Sequence, residues 1–269
     1  MKLSARARNG ASKPMEHGRL DYRKGMSTRE FAEALRDELL AHKVMVVTNV
    51  DPTVEQRPFW DEVSEMAGEV IAIAEQPSGE KTGDKWMEIR YDPAIKNAYR
   101  HANIAQPMHT DGSYLSNAPD IMFFYCVRQA SAGGETTFID SMEFVDVLQQ
   151  KDPSLYTALR ETPVHFSKAG DEKRRPIITE DRHGLVMTWN YHCVDPNESP
   201  AVKDLAERLH AFLQREVVSE RRTMPILLQP GEAVFFHDER VLHGRNSFDA
   251  QERNDRFFWK TGFRFAKYH

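Results

Sequence analysis

A rapid succession of short β-strand candidates, separated by turns that contain glycine and proline, dominates the sequence after residue 120. The candidates are rich in β-branched and aromatic residues and lie at 120–128, 134–139, 175–180, 184–191, 223–228, 232–237 and 256–265. Helical patterns interrupt them at about 142–162 and 202–217. Many short strands with such turns are typical of a β-sandwich or jelly roll. We therefore predict a mainly β fold in which the helical insertions pack on one outer side.

The first part of the chain predicts two helices and one buried strand. Ser27 and Glu30 form a capping-box pattern, and apolar residues at helical spacing follow them up to about residue 42. Residues 43–50 form a β-branched run that is typical of a buried strand. A second, shorter helix is predicted over 58–67, where Gly68 ends it.

Between residues 76 and 107 neither the helical nor the strand periodicity is visible. Glycine, proline and polar residues alternate there with Trp86, Tyr91 and Tyr99. A long loop inside a domain is often a lid or a binding loop. We expect this segment to border a ligand site and its aromatic side chains to close over a bound molecule.

Composition limits the classes of partner and compartment. The 269 residues are 40% hydrophobic and contain no apolar run of about 18 residues, so we expect one domain over 1–269 and no membrane partner. The net charge of −5 argues against nucleic acid, since phosphate binding needs a basic face. No apolar stretch follows the basic residues near the start, so a flexible tail over 1–20 is expected and a secretory signal is not. The two cysteines fit a reducing, cytoplasmic compartment; a homo-oligomeric state stays open.

A His-x-Asp pair and a distant histidine are the residues most suited to chemistry. His109 and Asp111 are two residues apart, so on a strand their side chains share a face. His243 follows an apolar pair far downstream. Two histidines and one carboxylate form the facial triad of non-haem Fe(II) oxygenases, which leaves coordination positions open. The neighbouring Asp238 is interpreted as a turn or hydrogen-bonding residue, because it follows His237 directly and adjacent strand residues point to opposite faces.

Four segments carry further motifs: 109–114 (His-Thr-Asp-Gly-Ser-Tyr), 133–136 (Gly-Gly-Glu-Thr), 228–231 (Leu-Gln-Pro-Gly) and 238–245 (Asp-Glu-Arg-Val-Leu-His-Gly-Arg). Asp-Arg-Phe follows at 255–257. With these motifs the chain resembles the taurine-dioxygenase-like branch of Fe(II)/2-oxoglutarate-dependent oxygenases, which includes clavaminate synthase and γ-butyrobetaine hydroxylase relatives. The resemblance runs from about residue 28 to 265 and implies a double-stranded β-helix, or jelly roll, with flanking helices.

The resemblance also implies roles for individual residues. His109, Asp111 and His243 match the ligands of Fe(II). Arg256 matches the arginine that holds the far carboxylate of the cosubstrate 2-oxoglutarate, for which a planar guanidinium is well suited. Thr136 matches the hydroxyl that assists it, although a β-branched strand residue of no further role is an equal alternative.

The chain departs from many relatives at the position four residues after Arg256, where Lys260 stands in place of a second arginine. A lysine is a point charge rather than a fork. It could pair with a carboxylate of substrate or cosubstrate, and a solvated strand residue is an equal alternative. Arg90 and Tyr114 are further candidates for substrate contacts, with a surface charge and ordinary packing as the respective alternatives.

The predicted activity is hydroxylation of an unactivated C–H bond in a small polar metabolite that bears a carboxylate, such as an amino acid. The resemblance implies that Fe(II), 2-oxoglutarate and O2 take part. Desaturation or ring closure by the same family remains an alternative. So do a jelly-roll binding protein without turnover and a metal-dependent hydrolase in which three ligands activate water.

Overall fold

The computed structural model describes residues 15–76, 79–95 and 98–268 of the chain. In that part, two β-sheets pack face to face and helices cover their outer surfaces. The helices are α1 (Thr28–Ala41), α2 (Gln56–Ala67), α3 (Ser141–Lys151), α4 (Pro153–Glu161) and α5 (Pro200–Phe212). The strands are β1 (Gly18–Asp21), β2 (Val44–Thr48), β3 (Gly68–Ile71), β4 (Met87–Arg90), β5 (Gln106–His109), β6 (Ile121–Arg128), β7 (Thr136–Asp140), β8 (Pro163–Lys168), β9 (Asp171–Pro176), β10 (Ile178–Asp181), β11 (Gly184–Met187), β12 (Met224–Ile226), β13 (Ala233–His237), β14 (Val241–Arg245) and β15 (Phe257–Phe265).

The two large sheets have the arrangement of a jelly roll. The larger sheet has the order β1-β2-β13-β6-β15-β3, and β4 also pairs with β15. The smaller sheet has the order β12-β7-β14-β5. Their neighbouring strands are antiparallel, except for the parallel pair β1 and β2. Strands β8 and β9 form a separate hairpin, as do β10 and β11. The predicted mainly β fold is confirmed.

The sequence of β6 is a continuous apolar run because both faces of this strand are covered. Successive side chains of a strand point to opposite faces. Phe123 packs against Trp60 of α2 on the outer face, with 4.9 Å between ring centroids, whereas Phe124 points between the sheets, where its ring centroid lies 5.2 Å from that of Phe236. Both faces of the larger sheet are therefore buried.

The helical insertions cover the outer face of the smaller sheet, as predicted. Apolar side chains of α3, α4 and α5 form one buried cluster with Ile139 of β7 and Leu242 of β14. The helices α1 and α2 cover the larger sheet on the opposite side, and the capping box of Ser27 and Glu30 starts α1 as predicted.

The segment 76–107 is more regular than the sequence suggested. It contains β4, which pairs with β15 in the larger sheet, and the first half of β5, which pairs with β14 in the smaller one. The expectation of a single long loop is therefore wrong. Both strands are only four residues long, and so short a segment shows little periodicity of its own. They form because they pair with strands far away in the sequence, β4 with β15 and β5 with β14.

Three further details differ from the sequence-based expectations. The helix predicted over 142–162 is split into α3 and α4 at Asp152, whose side chain caps α4 just before Pro153. Strands β8 and β14 were not among the candidates. Of the tail expected over 1–20, residues 18–20 belong to β1, which pairs with β2, and residues 1–14 lie outside the described part of the chain.

Two other observations concern the whole described chain. Within it, no helix has the length and apolar character needed to cross a membrane. Cys126 and Cys193 are both buried and neither forms a disulfide.

Candidate metal centre and its cavity

Two neighbouring strands of the smaller sheet bring the predicted metal ligands together. The register of β5 and β14 places His109 opposite His243, with imidazole centroids 4.2 Å apart. Asp111 lies in the turn after β5, with Oδ1 3.6 Å from His109 Nε2 and Oδ2 3.5 Å from His243 Nε2. Of the described residues, these alone form a His/Cys/Asp/Glu group whose ligand atoms lie within 4.8 Å of one another.

A buried carboxylate holds the turn that carries Asp111. Asp238, on the short turn between β13 and β14, accepts hydrogen bonds from the backbone N–H groups of Asp111 at 2.8 Å and Gly112 at 2.7 Å. A Cβ atom at position 112 would lie 2.7 Å from the Cβ of Ala118, so the close approach requires glycine. The interpretation of Asp238 as a hydrogen-bonding residue is confirmed. The structure adds that it holds the turn after β5 that carries Asp111.

A hydrogen bond to the backbone orients His109 toward the site. His109 Nδ1 lies 2.9 Å from the carbonyl oxygen of Pro107 and donates to it, so Nε2 is the ring nitrogen that faces the site. Asp111 Oδ2 is buried and accepts no hydrogen bond from the described residues. A divalent cation between these atoms would satisfy this oxygen, and two imidazoles with one carboxylate suit Fe(II). The donor set therefore fits the iron that the sequence implied.

Lys260 of β15 is the nearest cation to the triad. Its Nζ lies 2.6 Å from Oδ1 of Asp111, and its side chain is 10% exposed. The lysine that replaces a second arginine thus pairs with the carboxylate of the triad itself. The other oxygen of Asp111, Oδ2, accepts no hydrogen bond from the described residues and is left for a metal.

Electrostatics favours the protonation states that metal binding needs. Burial lowers the pKa of His243 to about 4, aided by the neighbouring His109, so the imidazole is neutral near pH 7. Burial acts to raise the pKa of Asp111, but the charge of Lys260 and the contacts with both histidines outweigh it and hold this pKa well below its usual value. The site therefore presents a neutral imidazole at His243 and an ionised carboxylate at Asp111.

The triad opens into a cavity of about 460 Å³ between the two sheets. Its lining includes the three ligands and four of the other sequence-predicted residues: Tyr114, Thr136, Arg256 and Lys260. Arg90 is not part of the lining; its side chain pairs with Glu88 at 2.5 Å and lies in an adjacent cleft. The placement of Arg90 therefore does not support the expected substrate contact.

Arg256 is a buried cation without an acidic partner. It is 3% exposed, and its Nη2 donates to the carbonyl oxygen of Gly134 at 3.1 Å. No described acidic side chain forms an ion pair with it, and its Nε has no hydrogen-bond partner. Burial, followed by the charge of Arg245, lowers the pKa of Arg256. A bound carboxylate would stabilise Arg256, because it would supply a counter-charge to the buried guanidinium and an acceptor for its N–H groups.

The Gly-Gly motif makes room for this arginine. Gly134 has φ +82°, and a Cβ atom there would lie 3.0 Å from Arg256 Nε. Gly133 has φ +72°, and its Cβ atom would lie 2.2 Å from the carbonyl oxygen of Ser247. Both positions combine a left-handed backbone with a close approach that only glycine permits.

Several polar residues of the cavity were not among the site residues predicted from the sequence. Gln106 Nε2 lies 3.1 Å from His109 Nε2. Arg245 donates from Nη2 to three backbone carbonyls of the segment 99–104 and so ties it to β14. Glu75, Arg100 and Lys168 line another part of the wall. Only Arg245 belongs to a motif singled out above; the others come from segments without one.

Comparison with known proteins agrees with this site. Residues 8–260 match the family model described as taurine catabolism dioxygenase TauD, TfdA family. The trimethyllysine dioxygenase of Meyerozyma guilliermondii is 27% identical over 59% of this chain and 43% of its own length. The γ-butyrobetaine dioxygenase of Pseudomonas sp. (strain AK-1) is 28% identical over 61% of this chain and 44% of its own length. The chain thus matches less than half the length of these curated relatives.

Solved structures share the fold. The PvcB protein of Pseudomonas aeruginosa superposes with a TM-score of 0.65 and 21% identity, over 93% of this chain and 87% of that chain. An asparagine oxygenase in complex with Fe(II), 3-hydroxyasparagine and succinate superposes with a TM-score of 0.65 and 15% identity, over 88% of this chain and 78% of that chain. From the family match over most of its length, the chain belongs to the TauD/TfdA dioxygenase family.

Proposed function

We propose that the protein is an Fe(II)/2-oxoglutarate-dependent dioxygenase that hydroxylates an unactivated C–H bond of a small, polar, carboxylate-bearing metabolite such as an amino acid. The observation that carries the proposal is one cavity that contains both the triad of His109, Asp111 and His243 and the unpaired buried cation of Arg256. Relatives named as dioxygenases of trimethyllysine and γ-butyrobetaine support a small-molecule substrate.

Each residue has a defined task in this reaction. His109, Asp111 and His243 would hold Fe(II) on one face, while Arg256, with Thr136 beside it, would hold the far carboxylate of 2-oxoglutarate. With O2, the bound iron and cosubstrate supply the chemistry that replaces a C–H hydrogen by hydroxyl while 2-oxoglutarate becomes succinate and carbon dioxide. The cavity walls, which include Tyr114, would surround the bound molecules and limit their contact with bulk water.

The alternatives fit these contacts less well. A hydrolase that activates water on three ligands gives no task to the buried Arg256. A binding protein without turnover does not need a complete triad beside such a cation. Desaturation or ring closure uses the same residues and is separated from hydroxylation only by the product.

The direct test measures succinate formed from 2-oxoglutarate in air with Fe(II) and ascorbate. Free amino acids, sulfonates, phosphonates and hydrophobic acids form one arm of the substrate screen; peptides and nucleic acids form the other. We expect succinate formation that a small acid stimulates and that a metal chelator stops. Turnover confined to a macromolecular substrate would contradict the proposed substrate class.

We also predict oxygenation rather than halogenation, because the carboxylate of Asp111 occupies the position that a halide ligand would need. In the presence of chloride, mass spectrometry of the product should show the gain of one oxygen atom. A chlorinated product from the unmodified protein would refute this prediction.

A further inference from the structure

Three charged residues that have no role in the reaction above meet at the cavity wall. Glu75, which is 5% exposed as a side chain, accepts through Oε1 from Arg100 Nη1 at 2.6 Å and from Lys168 Nζ at 2.5 Å. No described residue donates a hydrogen bond to Oε2 of Glu75. We call these three residues the Glu75 cluster.

The Glu75 cluster joins three separate segments. Arg100 is further fixed by a bond from Nη2 to the backbone carbonyl of Glu75 at 3.0 Å. Lys168 is the last residue of β8, and the tight turn after it contains Ala169 at φ +56° and Gly170 at φ +80°. This hairpin tip brings the Lys168 ammonium to the cavity, 5.4 Å from the ring centroid of Tyr114.

The charges of the cavity wall are unbalanced. Five lysines and arginines line it, against the two carboxylates of Glu75 and Asp111. Lys260 is paired with Asp111 and Arg256 awaits a cosubstrate carboxylate. Arg100 and Lys168 share one carboxylate, so the Glu75 cluster has a net charge of +1. Glu75 and Arg100 are largely buried, whereas the Lys168 side chain is 41% exposed on the open side of the cluster. A net positive group of this kind favours an anion that enters beside it.

We infer that the Glu75 cluster is the substrate anchor and recognises a molecule that carries both a carboxylate and a protonated amine. The carboxylate meets Lys168 and Arg100, and the ammonium meets the free oxygen of Glu75. This inference rests on the proposed function and deepens it, because it requires both charges on one substrate. A plain carboxylic acid would leave Oε2 of Glu75 without a donor, and an amine alone would be repelled by the net positive charge.

A purely structural role for Lys168 makes a different prediction. The ion pair of Lys81 with Asp171 joins the same two segments, the loop after β3 and the β8–β9 hairpin. Lys81 does not line the cavity. If Lys168 served only to hold the hairpin in place, loss of Lys81 would have the same effect on ligand binding. Lys81→Met is therefore the matched control for Lys168→Met.

The test is calorimetric titration of the full chain with Fe(II) and 2-oxoglutarate under nitrogen. The probes are the standard L-amino acids, trimethyllysine and γ-butyrobetaine; each amino acid is compared with its N-acetyl form and its amide. We expect at least one free amino acid to bind, and both of its derivatives to bind roughly tenfold or more weakly. Lys168→Met and Glu75→Gln should each weaken binding of the free amino acid by a similar factor. Lys81→Met should leave its affinity unchanged.

Three results would overturn the inference: binding of an N-acetyl or amide form as tight as that of the free amino acid, equal effects of Lys81→Met and Lys168→Met, or no binding by any probe. A titration with 2-oxoglutarate on the same sample separates this failure from that of the proposed function. If 2-oxoglutarate binds and no amino acid does, the substrate anchor alone is wrong. If 2-oxoglutarate itself does not bind, the proposed function fails.

Discussion

The variant His243→Ala is expected to reduce 2-oxoglutarate turnover to background, because it removes one of three ligands and leaves two donors on one side of the site. Metal affinity should fall by more than the roughly 10–100-fold that the loss of an outer hydrogen-bond partner costs. Calorimetric titration with Fe(II) under nitrogen and a succinate assay measure the two effects. Turnover at the level of the unmodified protein would show that His243 is not the distal ligand.

Loss of packing must be separated from loss of the ligand, since the His243 imidazole is 3% exposed and lies 4.7 Å from the ring centroid of Phe236. Leu242→Ala is the matched control. Leu242 is the preceding residue of β14, is fully buried, and points to the opposite face among the helices. Its truncation should cost about 2–5 kcal/mol of unfolding free energy. We expect this control to melt at a lower temperature and still bind Fe(II), whereas His243→Ala loses metal binding even where circular dichroism shows it folded.

The second large effect is expected for Arg256→Ala, which should weaken 2-oxoglutarate binding by about 2–5 kcal/mol, the range for removal of one partner of a desolvated, hydrogen-bonded charge pair. The guanidinium has no acidic partner among the described residues, so the cosubstrate carboxylate would be its only counter-charge. Calorimetric titration of the Fe(II)-loaded protein with 2-oxoglutarate gives the dissociation constant directly.

A lysine at the same position tests the geometry of the contact. Arg256→Lys keeps the charge but not the two parallel donors, so its affinity should lie between those of the unmodified protein and the alanine variant. Fe(II) binding should be unchanged in both variants, because Arg256 does not contact the triad. An unchanged dissociation constant for 2-oxoglutarate in Arg256→Ala would assign the contact to another residue.

The local patterns of the sequence were sufficient for elements that carry a capping motif or a continuous apolar run. The capping box of Ser27 and Glu30, the β-branched run in β2 and the apolar run in β6 each depend on neighbours within one element. The failures were strands without such a run, for example β4 and β14. Their stability comes from pairing partners far along the chain, which no local periodicity reveals.

The sequence by itself was enough to identify His109, Asp111 and His243 as candidate ligands. His109 and Asp111 belong to one short motif, and His243 lies in a recognisable segment. It also pointed to Arg256. Only the tertiary structure decided what the remaining charges do. The register of β5 and β14 places His109 opposite His243. The side chain of Lys260 forms an ion pair with Asp111.

The same is true of the cavity wall. Arg90, a sequence candidate, lies outside it, whereas Glu75 and Lys168 meet there across 93 positions of the chain. The physical reason is that residue type specifies which contacts a side chain can make, while its partner depends on strand order, register and the path of a hairpin. The role of a charged residue without a motif depends on that partner, and the contact with the partner forms only in the folded chain.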